Sequence, residues 1–398
     1  MMSIAELHFL VVDDHAFQRG MLVRMLKRLG AREITEAEDG ATALARSRDD
    51  RRMDIIICDL DMPGMDGMAF IRHLGESGFN TSMILSSALD RSLVASVGTM
   101  TRAYGIHLLG ILDKPAAPEQ LSHLIELYRG RTERQDGGPV PVFTVEAIEQ
   151  AIDAGQFVPY FQPKVSLADG SVTGAEALAR WRHPELGVIS PCSFIEALEG
   201  AGRIDELSWF MIRASARSCR DWLVEGNEVK VSVNISLSSL NKSNFADRIT
   251  TTVLEAGLDP RQMILEITES TAMTHVAQAL ENLARLRIKG FGLSIDDYGT
   301  GYSSMQQLTR VSFTELKIDQ SFVSGAFDHE ACRAVLETSL DIARKLHLST
   351  VAEGVETRDD WRNLRQLGCD MAQGFYIAQP MPDSDFRSWM GSWQPPET

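Results

Sequence analysis

Apolar residues in this chain gather in short unbroken runs separated by stretches of helix length. Over the first 130 residues the runs are Phe9–Val12, Ile55–Cys58, Met83–Leu85 and Leu108–Leu112. A strand that is apolar at every position has both faces covered, as happens in parallel sheets flanked by helices on either side. Residues 5–128 are accordingly expected to form a doubly wound α/β domain. Residues 129–143, which include Arg129-Gly-Arg-Thr-Glu-Arg-Gln-Asp-Gly-Gly-Pro-Val-Pro141, have no apolar period and the composition of a linker. From 144 to 398 about eight strand-like pieces follow, at Val158–Gln162, Gly174–Leu178, Val229–Ile235, Met263–Ile267, Gly292–Ile295, Glu315–Ile318, Thr350–Ala352 and Ala372–Ile377. Helical patterns separate them. Eight such repeats in roughly 250 residues predict a (β/α)8 barrel, in which polar residues at the strand ends are the first candidates for function.

Composition narrows the partners. The net charge is −16, with 14 basic against 18 acidic residues in 1–130 and 25 against 37 in 131–398. A long polyanion such as DNA, or an anionic membrane surface, would be repelled at a distance, so neither is an expected partner. The five cysteines, Cys58, Cys192, Cys219, Cys332 and Cys369, are scattered and never form a C-x-x-C pair, which speaks against a disulfide framework and against zinc. The N-terminus lacks the basic patch and long apolar stretch of a signal peptide, and no apolar segment nears the roughly 20 residues of a membrane span. The expected location is the cytoplasm.

Three acids follow strands of the first domain: Asp13 and Asp14 after Phe9–Val12, and Asp59 after Ile55–Cys58. The carboxyl ends of neighbouring parallel strands converge on one crevice, so these carboxylates could share a Mg²⁺, a hard cation that takes oxygen ligands. Ser87 and Lys114 end the next two strands, where a hydroxyl and a compact cation would steady phosphoryl oxygens on Asp59. Singly, an Asp after a strand is most often a helix N-cap, and a Lys before Pro115 a solvated turn. Jointly, with Asp59-Leu-Asp-Met-Pro-Gly-Met-Asp-Gly67, Ser87-Ala88 and Lys114-Pro115, they resemble the receiver domain of two-component response regulators, a flavodoxin-like fold. The resemblance implies phosphorylation of Asp59 by a sensor histidine kinase or phosphotransfer protein, one Mg²⁺ at Asp13, Asp14 and Asp59, Ser87 as switch hydroxyl and Lys114 as phosphate contact. The chain departs from that pattern at Ile111, three positions before Lys114, where receivers usually carry an aromatic switch residue.

The strand ends of the second segment carry Glu176, Asn234, Glu266, the pair Asp296-Asp297, Lys317, Glu353 and Gln373. One such acid alone would most simply cap a helix or pair with a lysine. Oxygen donors in this number at one barrel mouth would be too costly to bury without a cation. They suit Mg²⁺ or Mn²⁺, and the adjacent aspartates could serve two neighbouring metals. Such a site points to phosphate-ester hydrolysis, with Lys317 or Glu353 handling the proton.

The surrounding residues carry a specific resemblance. Gly174-Ala-Glu-Ala-Leu-Ala-Arg-Trp181 contains the Glu176-Ala-Leu178 signature of EAL domains. It is accompanied by Phe161-Gln-Pro163, Val233-Asn-Ile-Ser236, Leu265-Glu-Ile-Thr-Glu269, Asp296 to Ser304, Leu316-Lys-Ile-Asp319, Ala352-Glu-Gly-Val-Glu356 and Gln373-Gly374. The resemblance implies a TIM-like barrel that hydrolyses cyclic di-GMP to linear pGpG. By position it implies Glu176, Asn234, Glu266 and Asp296 as metal ligands, Asp297 at a second metal, Glu353 as base or metal-linked group, and Lys317 as the residue that orients the attacking water. Gln162, Leu178, Arg180, Asp319 and Gln373 would lie against substrate. Glu269 and Glu356 would anchor the loop from Asp297 to Ser304, in which Gly299 and Gly301 supply backbone freedom and Tyr298 stands where Phe is commoner. This loop is intact, which favours catalysis over the alternative, a cyclic di-GMP sensor or protein-docking module without turnover. EAL domains commonly pair, so a homodimer or larger assembly is expected.

Overall fold

The structure, a computed structural model, describes residues 4–396 other than 50–52, 78, 80, 88–96, 99, 102–103, 115, 119, 123, 127, 129–142, 269–275, 300–307, 325 and 327–329. The chain divides into two compact units, Met1–Val140 and Pro141–Thr398. Most of the expected linker lies outside the described residues.

In the first unit β1 (His8–Val12), β2 (Glu33–Ala37), β3 (Ile55–Asp59), β4 (Ser82–Ser87) and β5 (His107–Asp113) form one parallel sheet in the order β2-β1-β3-β4-β5. Leu10, Val12, Ile56 and Cys58 pack into one apolar cluster, while Phe9, Val11, Ile55 and Ile57 pack into another. Successive side chains point to opposite faces, so every position of β1 and β3 feeds a core and the runs are apolar throughout. Strand β2, Glu-Ile-Thr-Glu-Ala, was not among the expected runs. It forms the sheet edge and buries fully only Ala37, so it shows no apolar run. The helix Gly67–Glu76 begins where the Asp66 side chain accepts the Ala69 N–H at 2.7 Å. A Cβ on Gly67 would stand 2.4 Å from the Asp59 carbonyl oxygen, so glycine is what lets this helix start hard against the end of β3.

In the second unit eight strands close into a barrel: β6 (Phe157–Ser166), β7 (Val172–His183), β9 (Lys230–Asn234), β10 (Met263–Thr268), β11 (Gly292–Tyr298), β12 (Glu315–Ile318), β13 (Ser349–Ala352) and β14 (Met371–Ala372), which pairs back to β6. β8 (Gly187–Ile189) extends β7, and β15 (Met381–Pro382) extends β6. The regular repeat fails at one place, because β6 runs antiparallel to both β7 and β14. The cause is local. A tight turn in which Ser166 N–H donates to Ser171 O at 2.9 Å joins β6 to β7, leaving no room for the crossover that parallel strands need. β14 is also shorter than expected, ending at Ala372 because the chain turns at Gly374, whose carbonyl accepts the Ile377 and Ala378 N–H groups.

Helices that include Ile204–Val224, Phe245–Glu255, Val276–Ile288, Glu330–Leu346 and Arg358–Leu367 follow the parallel strands. Val231, Val233, Leu265, Leu293 and Ile295 face this outer layer and join one apolar cluster with Trp222, Phe245 and Leu286. The alternate positions point inward, and near the mouth they are polar. Among the described residues no helix is long and apolar enough to cross a membrane.

Candidate functional site

Lys317, near the end of β12, is 1 % exposed and stands at the centre of the barrel mouth. Its Nζ lies 3.3 Å from Glu176 Oε2, 3.0 Å from Glu266 Oε2, 3.0 Å from Asp296 Oδ1 and 2.7 Å from Glu353 Oε1. Four strands thus deliver their acids to one ammonium. Burial alone would pull this lysine down, but Glu176, Glu266, Glu353 and Asp296 outweigh it and hold the group well above its ordinary value.

A second lysine sits beside this group, one that the motif reading passed over. Lys164 Nζ donates to Glu266 Oε1, Glu315 Oε1 and Ser232 Oγ, each at 2.8 Å. The signal was its spacing, two residues after Gln162 in the same strand and therefore on the same inward face. Glu266 is consequently held from both sides. Burial pushes its carboxyl up, yet Lys164 and Lys317 more than reverse this and bring it to about 2. Glu353 and Asp297 go the other way. Burial raises Glu353 to about 8, with Lys317 opposing and Asp296 and Glu176 adding to the rise. Burial, then the charges of Asp296 and Asp319, raise Asp297 to about 6.

Adjacent strand residues normally point to opposite faces, so Asp296 and Asp297 need a backbone irregularity to act together. They have one. The β11–β12 register shifts between Ile295 and Tyr298, and Asp297 has φ 57, the left-handed region that non-glycine residues seldom enter. Oxygens of Asp296, Asp297 and Glu353 consequently all lie within 4.8 Å of one another, a spacing compatible with a shared cation.

Polar side chains around Glu176 complete the donor set. Asn234 Nδ2 donates to Glu176 Oε1 at 3.0 Å, which leaves the amide oxygen as a prospective ligand. Gln373 Nε2 donates to Glu176 Oε2 at 2.8 Å and to Gln162 Oε1 at 3.0 Å, while the buried Gln373 Oε1 has no partner. An orphaned buried acceptor beside all-oxygen donors fits hydrated Mg²⁺ or Mn²⁺ better than a thiol-seeking metal.

The remaining predicted residues are placed less uniformly. Leu178 and Asn234 line a largely apolar cleft of about 500 Å³ with Ile204, Leu207 and Val233. The Arg180 guanidinium sits 5.7 Å from the centroid of the Tyr160 ring and donates to Ala179 O. Asp319 caps the short helix Gln320–Val323, accepting the Ser321 N–H at 2.9 Å. The Glu356 side chain is exposed, and its backbone N–H donates to Asp360. Tyr298 is buried and pairs with Ile318 across β11 and β12. Glu269 and residues 300–304 of the expected loop lie outside the described residues.

In the first unit Lys114 joins Asp13 and Asp59, with its Nζ 3.1 Å from Asp13 Oδ2 and bonded to Asp59 Oδ2. Burial works against its charge, but the two aspartates prevail and raise it above the ordinary value. Asp14 lies beside this pair, with His15 Nδ1 at 2.8 Å from Asp14 Oδ1, and oxygens of Asp13 and Asp14 with a His15 nitrogen form a compact cluster. Ser87 is buried at the end of β4, where its carbonyl accepts the Lys114 N–H at 3.1 Å. Ile111 pairs with Leu85 across β4 and β5 and is partly buried.

Comparison with known proteins gives a consistent picture. The family model of the EAL domain matches residues 145–380, and that of the response regulator receiver domain matches residues 9–126. The cyclic di-GMP phosphodiesterase RocR of Pseudomonas aeruginosa is 38% identical over 387 residues, covering 96% of this chain and 98% of that protein. MucR of the same species, a bifunctional diguanylate cyclase/cyclic di-GMP phosphodiesterase, is 38% identical over 236 residues, which cover 59% of this chain and 34% of that protein. Among solved structures, the MucR phosphodiesterase in complex with c-di-GMP aligns with a TM-score of 0.58 at 37% identity, over 61% of this chain and 98% of that one.

Proposed function

Since the chain belongs to the EAL family and carries a response regulator receiver domain ahead of its barrel, we propose that it is a response regulator that hydrolyses cyclic di-GMP to linear pGpG. The observation that carries this reading is the convergence of Glu176, Glu266, Asp296 and Glu353 on Lys317, with Asp297 turned toward the same mouth. When bound at these oxygens, Mg²⁺ or Mn²⁺ would screen the phosphodiester charge and favour ionisation of the attacking water. The chain's own part is positional. Lys317 is the cation nearest to Glu353, and with the other carboxylates turned to a bound cation its Nζ would be free to donate to a water that Glu353 accepts. The water passes a proton to the ionised Glu353 carboxylate as its oxygen bonds to phosphorus, one P–O3′ bond breaks, and the released 3′-oxygen takes up a proton from Glu353 or solvent, leaving a linear dinucleotide with a 5′-phosphate. The cleft bordered by Leu178 and Asn234 adjoins the mouth and suits the apolar face of a base.

In the first unit, Asp59 is the proposed phosphoacceptor, Asp13 and Asp14 the supports of one Mg²⁺, and Lys114 the phosphate contact. A histidine kinase or phosphotransfer protein would supply the phosphoryl group and tune the barrel's activity.

Purified protein with Mn²⁺ is expected to convert cyclic di-GMP to pGpG, and Glu176→Ala is expected to lose the activity by at least about a hundredfold, as removal of a charge-stabilising group does. Liquid chromatography of the reaction measures both. Tight binding of cyclic di-GMP without turnover in either metal would replace the enzyme with a sensor.

A further inference from the structure

On the outer wall of the barrel, a cleft of about 630 Å³ lies between β6, β7 and the helices Ile204–Val224 and Asp383–Ser392. It is lined by Arg182 from the end of β7, by Arg213 and Arg217 one helical turn apart, and by Val158, Pro159 and Phe210. All three arginines are exposed, and none forms an ion pair among the described residues. In a chain with 55 acids against 39 basic residues, three uncompensated guanidiniums around one hollow are unexpected. The acids closest to hand are already engaged. Arg387 holds Asp383 at 2.8 Å, Asp221 at 3.6 Å and Glu225, and Asp383 also accepts the Trp222 indole N–H at 2.8 Å. Asp383, which also lines the cleft, is thus committed to Arg387, and the three guanidiniums remain available to an anion from outside the chain.

We propose that this cleft is a second ligand site, separate from the barrel mouth, that binds a phosphate monoester of mononucleotide size. Guanidinium groups present paired N–H donors that match phosphate oxygens, and three of them can accommodate a dianion. Phe210, Pro159 and Val158 give the hollow an apolar wall on which a base can lie flat. The volume is that of a small-molecule pocket and too small for a folded partner. Ser218, also in the lining, carries a hydroxyl for the sugar.

The test is calorimetric titration of the full-length protein in EDTA, with GMP and inorganic phosphate as separate probes. Saturable binding of both is expected, tighter for GMP. Arg213→Ser with Arg217→Ser should weaken it at least about tenfold, as loss of charge-assisted hydrogen bonds does. Arg182→Ser, on a different element, should do the same should the helix double variant not fold. Glu176→Ala should bind GMP as the parent does, which keeps this result independent of the catalytic reading. Equal affinity for the two probes would assign the site to free phosphate. No saturable binding of either probe, or parental affinity in the arginine variants, would overturn the proposal.

Discussion

A carboxylate with 0 % exposure needs cations at contact distance, and Glu266 has one on each oxygen. Replacing Lys164 by methionine would leave Glu266 and Glu315 buried near each other without their shared ammonium. A loss of about 3–5 kcal/mol is expected, the usual result of breaking a buried ion pair from one side, and urea unfolding measures it. Lys164→Met combined with Glu315→Leu should recover much of the loss, since apolar replacement of a whole buried pair is often neutral. Glu353 makes the opposite prediction for pH. Its carboxyl ionises near 8 in the folded chain and near 4.5 when unfolded, so between those values the unfolded state holds fewer protons. Its contribution is complete below about 4.5 and is lost as pH rises toward 8, with Asp297 adding a like loss up to about 6. Thermal scans in EDTA from pH 5 to 8.5 should show this decline, and Glu353→Gln should flatten it; parallel curves for the two proteins would remove Glu353 as the cause. Glu266, held low, acts only in acid, where its contribution fades as pH falls toward about 2.

At the scale of elements, the bulge in β11 carries a strain that glycine would relieve. Asp297→Gly should make the metal-free protein about 0.5–1 kcal/mol more stable while weakening Mn²⁺ binding, read by paramagnetic resonance. A variant that binds Mn²⁺ as tightly as the parent would separate Asp297 from the metal site. Gly67→Ala should cost the first unit at least about 1–3 kcal/mol, because the added methyl must push the helix Gly67–Glu76 away from β3. Both effects were invisible in the hydrophobic pattern, which is sensitive to strands buried on both faces. That pattern located β1, β3, β4, β5 and the eight barrel strands but not β2, whose polar residues lie on a sheet edge. The direction of β6 was equally hidden, because apolar content does not report whether a turn or a helix follows. The acids of the mouth were legible because motif residues occupy successive strand ends. Lys164 and Glu315 were not, since they lie one step deeper and their meaning depends on register across the barrel.

At the scale of the molecule, the net charge of −16 spoke against long polyanions, and the fold shows why that did not extend to a small one. Glu176, Glu266, Asp296 and Glu353 face inward around Lys317, where a divalent cation bound at their oxygens would reverse the local field for a small dianion. Two buried ammonium groups also bear on what chelation does. Since Lys164 and Lys317 offset part of the buried carboxylate charge, and raised carboxyls such as Glu353 can hold a proton, EDTA should leave the far-ultraviolet circular dichroism and the cooperative unfolding of the protein intact while stopping hydrolysis. Collapse of the barrel in EDTA would show that the lysines do not suffice.

The consequence of those two lysines is one of sequence in time. If the barrel keeps its fold in EDTA, closing the barrel and loading the ion are separate events. Ion supply would then set activity without changing how much folded protein there is.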